Sequence, residues 1–168
     1  MKNLYNALTA IALLSGPGHL LHARIGQPTG SEYAYIYNVS EQHLPEVSQG
    51  TAITFDSHGQ MTSGIKHATG SSDIIINQAG TYLVSYYVRP MNYPSSFGIF
   101  INDTLTEGGL CHGDATSSSI NTQLIIKVGT GTIITLRYYT GRTGTNSTGL
   151  WNWGKSLPTA SITILKIG

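Results

Sequence analysis

The chain has 168 residues, enough for one domain with a real core. Only 10% of them are charged and the net charge is +1, where an average soluble domain carries about 25% charged residues. That balance excludes electrostatic capture of nucleic acid or of an acidic membrane surface. A content of 17 Ser, 20 Thr, 10 Tyr and 20 Gly points to an all-β protein.

The first 23 residues, "MKNLYNALTAIALLSGPGHLLHA", place one positive charge at Lys2 before an apolar run from Ala7 to Leu14, with small Ala23 behind it. This is the pattern of a secretory signal cleaved after Ala23, or of an apolar leader that is kept. The run is too short to span a bilayer, and no later segment is long and apolar enough to do so. Residues 24–32, "RIGQPTGSE", read as a polar, turn-rich linker. From residue 33 to 168 short apolar runs alternate with Gly, Asn, Ser and Thr clusters. "YAYIYN" (Tyr33 to Asn38), "TAITFD" (Thr51 to Asp56), "SDIIINQAG" (Ser72 to Gly80) and "AGTYLVSYYV" (Ala79 to Val88) come first. "FGIFIND" (Phe97 to Asp103), "SINTQLIIKV" (Ser119 to Val128), "TIITLRYYTG" (Thr132 to Gly141) and "ASITILKI" (Ala160 to Ile167) follow. Nothing after Ala23 holds a helical apolar period, and no fixed repeat occurs. About eight to ten strands separated by turns predict a jelly-roll β-sandwich.

One strand is unusual. In "AGTYLVSYYV" Tyr82, Val84, Tyr86 and Val88 form one face, while Thr81, Leu83, Ser85 and Tyr87 form the other. An exposed sheet face normally carries charge, and this second face carries Leu and Tyr, the composition of a buried interface. Either a second sheet of the same chain covers it or another chain does.

The segment "GQMTSGIKHATGSSDIIINQAGTYLVSYYV" (Gly59 to Val88) resembles the globular C-terminal domain of the BclA-type exosporium collagen-like glycoproteins of spores, within the wider complement-type and tumour-necrosis-factor-like jelly rolls. Gly80, Thr81 and Tyr82 match the Gly-x-Tyr that enters the long central strand of that family, "GTGTIITLRYYTG" (Gly129 to Gly141) resembles its later strand, and "ASITILKI" its closing one. The resemblance runs from about Tyr33 to Gly168 and implies a homotrimeric head, in which one sheet of each chain faces its neighbours. The second face of "AGTYLVSYYV" is then covered between chains. Candidates for that interface are Leu83, Tyr87, Phe100, Tyr138 and Tyr139. Members of the family carry Gly-X-Y tracts before the head. "GPGHLLHARIGQPTG" (Gly16 to Gly30) holds no such period, which favours a head that stands alone or is held by its leader.

Few residues suggest chemistry. No Gly-x-Ser-x-Gly elbow is present. "CHGD" (Cys111 to Asp114) gathers a thiol, an imidazole and a carboxylate in one loop-like stretch, but a nucleophile and its base ordinarily meet from distant parts of a chain. Cys111 is the single cysteine, so it forms no internal disulfide; it reads as a small, partly buried side chain or as a link between two chains. His43, His58, His67 and His112 are scattered over separate segments, so no metal or cofactor is expected. Asp56 and Asp73 flank one loop as calcium candidates, yet turn-forming roles suit them better. Asn-X-Ser/Thr triplets at Asn38, Asn102 and Asn146 are no more than composition produces. Trp151 and Trp153 in a Gly-rich loop form a candidate sugar-stacking platform. The expected protein is therefore an exported, non-enzymatic, homotrimeric structural or adhesive component of a spore exosporium or cell surface. Its partners are further copies of itself, with other surface-layer proteins or glycans beyond them. The alternative is a secreted lectin-like module using Trp151 and Trp153.

Overall fold

In the computed structural model, residues 31–45, 50–91, 94–113, 119–139, 148–150, 152 and 157–168 are described. Among them there are strands, turns and bends and no helix. Two antiparallel sheets hold most of the chain. The first is five-stranded, in the order Ile120–Val128 (β10), Gly80–Val88 (β7), Ala160–Lys166 (β13), Tyr33–Asn38 (β1) and Ser57–Met61 (β4). The second runs Ile65–His67 (β5), Ile74–Ile76 (β6), Thr132–Tyr138 (β11), Ser95–Ile101 (β8) and Thr104–Gly113 (β9), with Thr51–Ala52 (β3) also pairing with β11. A small ribbon of Gln42–Leu44 (β2) and Thr148–Leu150 (β12) lies apart from both.

The inward positions of the two sheets make the core. Ala34 and Ile36 of β1, Tyr82, Val84, Tyr86 and Val88 of β7, and Ile162 and Ile164 of β13 come from the first sheet. Ile74 and Ile76 of β6, Phe97 and Ile99 of β8, and Ile134, Leu136 and Tyr138 of β11 come from the second. Each such Ile, Val or Leu stabilises the fold by about 1.5–3 kcal/mol through burial. The two core tyrosines of β7 keep partners for their hydroxyls: Tyr82 donates to the Gln78 carbonyl at 2.8 Å and Tyr86 to the Phe97 carbonyl at 2.6 Å. Burial pushes the Tyr86 phenol far above its ordinary range.

The all-β sandwich matches the fold class read from the sequence. The described residues contain thirteen strands rather than eight to ten. The additional ones are β2, β4, β5, β9 and β12, most of them short or at sheet edges. The β8–β9 hairpin turns on Asn102 and Asp103, with φ of 46° and 66°, the left-handed pair that a two-residue turn requires. Asn102 also accepts from the Ile133 amide at 2.9 Å, tying the hairpin tip to β11.

Candidate self-association face

The two sheets meet through Tyr82, Val84, Tyr86 and Val88, so the second face of β7 points away from the sandwich. Among the described residues no second sheet covers it, and Leu83 and Tyr87 stay half-exposed. Register then decides what surrounds them. Ile125 of β10, Leu83 of β7, Leu165 of β13 and Tyr33 of β1 pair in succession and form one row across four strands. Cross-strand neighbours in such a row lie about 5 Å apart and make a continuous surface. Of these, Ile125 is 64% exposed, Tyr33 43% and Leu165 38%. The next row is Gln123, Ser85, Thr163 and Tyr35, and the third is Asn121, Tyr87, Ser161 and Tyr37. Tyr35 and Tyr37 stack at 5.2 Å, and Gly59 of β4 leaves room beside the Tyr35 ring, since a Cβ there would come within 3.2 Å of it. Only Lys127, opposite Thr81 at the end of β10, brings charge to these rows. The face is apolar at one end, aromatic at the other, and lined with neutral hydroxyls and amides between.

The other interface candidates lie elsewhere. Tyr138 is 1% exposed and its ring packs against Phe97 at 5.5 Å inside the core. That ring is spent within its own chain and offers no surface to another, which corrects its place among the interface candidates. Phe100 and Tyr139 meet edge to face at 5.9 Å on the outer side of the second sheet, with the Arg137 guanidinium 4.7 Å above the Phe100 ring. Arg137 also pairs with Asp103. Phe100 is 3% exposed, covered by this local cluster. The structure thus joins Leu83 with Tyr87 and, separately, Phe100 with Tyr139. Ile125, Leu165, Tyr33, Tyr35 and Tyr37 join this face without being among the candidates; alternation along "YAYIYN", "SINTQLIIKV" and "ASITILKI" separates the two faces of each strand without saying which surface each face joins.

The residues singled out for chemistry are apart or already engaged. Cys111 pairs with inward Phe97 and packs against the core, whereas His112 pairs with Ser96 on the opposite side of β9. Neighbours on a strand point to opposite faces, so thiol and imidazole do not form a nucleophile–base pair. His112 Nδ1 instead lies 2.8 Å from the Ser96 hydroxyl; Asp114 is outside the described residues. The Asp56 carboxylate accepts from the Ser40 hydroxyl at 2.6 Å and from the Val39 and Ser40 amides. Burial alone would raise its pKa, but these bonds and one from Ser57 outweigh burial and hold it below the ordinary value. Asp73 takes its amide to the Ser71 hydroxyl at 3.0 Å. Asp56 thus ties the segment after β1 to the one before β4, and among the described residues no three His, Cys, Asp or Glu side chains gather in a cluster that could hold a metal. Asn38 is 1% exposed and donates to Thr159 Oγ1 at 2.7 Å, so attachment of a sugar there would break a buried bond. Asn102 is exposed at its hairpin tip. Trp151, Trp153 and Asn146 lie outside the described residues, as do residues 1–23.

No family model matches the sequence, and no curated protein matches it either. Solved structures do. Murine APRIL at pH 5.0 is 14% identical with a TM-score of 0.56, over 82% of this chain and 100% of that one. The globular domain of zebrafish complement 1qA is 8% identical with a TM-score of 0.57, over 82% and 98%. The Eiger TNF of S. frugiperda is 13% identical with a TM-score of 0.55, over 82% and 93%. At such identities the likeness is one of fold. The fold is the jelly roll of tumour-necrosis-factor and complement-1q heads.

Proposed function

We propose that this chain is a self-associating head, a homotrimer that acts by adhesion or as a structural element at an exterior surface, of the spore-exosporium or cell-envelope kind, and not by catalysis. The observation that carries the reading is the row Ile125, Leu83, Leu165 and Tyr33, continued by Tyr35, Tyr37 and Tyr87 on a face with one charge at its margin. Large apolar side chains aligned over four strands lose hydration only when another surface covers them. The resemblance of Gly59 to Val88 to spore-surface heads supports three-fold closure and an exterior location. The alternation of Leu and Tyr with Ser, Thr and Gln supports a permanent interface, with tyrosine supplying area and a polar tip.

The test is the native mass of the full chain by light scattering after size exclusion, beside the same chain with Leu83→Lys. Three times the protomer mass, maintained on dilution, together with a folded monomer for Leu83→Lys, is the expected result. A monomeric wild-type chain, or a Leu83→Lys variant of unchanged mass, overturns the reading.

A further inference from the structure

Beyond that face, the two sheets also meet at an edge where a pair of histidines faces across the gap. β4 is the edge strand of the first sheet and β5 the edge strand of the second. His58 of β4 and His67 of β5 approach with ring centroids 6.4 Å apart and planes at 80°. Each ring also has one nitrogen on a backbone carbonyl, His58 Nδ1 to Gly59 and His67 Nε2 to Ser71, both at 3.1 Å. A carbonyl oxygen only accepts, so in the neutral rings the proton sits on those bonded nitrogens. His58 Nε2 and His67 Nδ1 are left with bare lone pairs, and orientation by a backbone carbonyl is the usual support of a metal-binding imidazole.

His67 Nδ1 has a further peculiarity: it is buried and has no hydrogen-bond partner. A buried acceptor left without a partner is costly, and Phe55, edge-on to the ring at 6.0 Å, provides none. Zinc bonds imidazole nitrogen at about 2.1 Å, so two rings that share a tetrahedral ion have centroids roughly 5 Å apart. The two rings here, 6.4 Å apart, are wider than that by roughly 1 Å, a gap that the turn of one ring closes. His58 is exposed, so its ring can turn toward the gap without unpacking the core.

We infer that His58 and His67 form a two-histidine clasp for one divalent transition-metal ion of the zinc type, bound through His58 Nε2 and His67 Nδ1 with water completing the coordination. Such an ion would staple the edge strands of the two sheets together and give His67 Nδ1 the partner it lacks. Two protein ligands make a weaker site than the four of a structural zinc centre. The role that suits it is stiffening of the β4–β5 edge, not folding of the domain.

The experiment is zinc titration of the full chain by calorimetry and by nitrogen-15 NMR of the imidazole rings. The expected result is one zinc per chain, with His58 Nε2 and His67 Nδ1 as the resonances that move. His58→Ala, at an exposed position, should keep the fold and weaken binding by at least about tenfold, because loss of a ligand costs no less than loss of its support. His67→Gln should do the same where it folds. The double variant His19→Ala/His22→Ala controls for the two leader histidines and should bind as the wild type does. Absence of zinc binding, unmoved His58 and His67 resonances, unchanged affinity in His58→Ala, or loss of binding in the leader variant would each overturn the clasp.

Discussion

Glu32 is 7% exposed although it is a carboxylic acid just ahead of the first strand. Its carboxylate accepts from the Gly64 amide at 2.7 Å, from Gln78 Nε2 at 2.8 Å and from the Thr62 hydroxyl. Two separate turns, β4–β5 and β6–β7, are thereby tied to the start of β1. Glu32→Ala leaves the Gly64 amide without a partner and should cost about 1–3 kcal/mol, read as a lower urea midpoint with an unchanged slope. Gly64 has no room for a side chain, since a Cβ would collide with the Glu32 carboxyl group. Gly64→Ala should therefore destabilise the wild type and cost less in the Glu32→Ala background, a coupling that a double-mutant cycle measures. None of this was legible in "RIGQPTGSE", which reads as linker. The partners of Glu32 stand 30 to 46 positions away, and local composition carries no trace of them.

Strands differ in how openly the sequence announces them, and the difference follows their place in the sheet. β7, β11 and β13 are flanked on both sides, so their apolar alternation is strong and was legible. β4 (SHGQM) and β5 (IKH) are edge strands, and neither carries a run of apolar alternation. β9 (TLTEGGLCHG) is also an edge strand, with Glu107, a register shift opposite Gly98 and Phe100, and Gly108 at φ 72°. Charge, glycine and bulges are what protect an open edge from further pairing, and they erase the alternation by which a strand is recognised. β10 is the exception, an edge of nine residues in unbroken register with β7. On that strand Ile125→Ser should change the stability of an isolated protomer by no more than about 0.5 kcal/mol, as for other exposed positions, yet weaken self-association. Ile164→Ala on β13, fully buried, should cost about 2–5 kcal/mol. Thermal melts and dissociation on dilution separate the two effects.

For the whole molecule, the consequence of low charge is that assembly should ignore salt. The rows that face outward from the first sheet hold one lysine, at their margin, so there is little Coulomb attraction or repulsion for ions to screen. Native mass should stay the same from about 0.05 to about 1 M sodium chloride, over which the screening length falls from more than 10 Å to about 3 Å. Dissociation at high salt would mean that ion pairs outside these rows carry the contact. The candidate site was only half legible at this scale. Alternation separates the faces of one strand but does not say which sheet a strand enters. Leu83 and Phe100, equally plausible by pattern, therefore lie on opposite outer surfaces of the sandwich.

The pairing of the first strand with the last has a mechanical meaning. Tyr33 sits opposite Leu165, and Asn38 opposite Ala160, so the two ends of the fold leave the sheet side by side. Tension applied between those ends would peel β1 from β13 one hydrogen bond at a time. Tension on the leading end alone, against the body of the head, would pull β1 lengthwise between β13 and β4 and load the bonds of both ladders together. A head held to a surface by its leading segment would thus be loaded in its strong direction, and a tether at its trailing end added to the first would find the weak one.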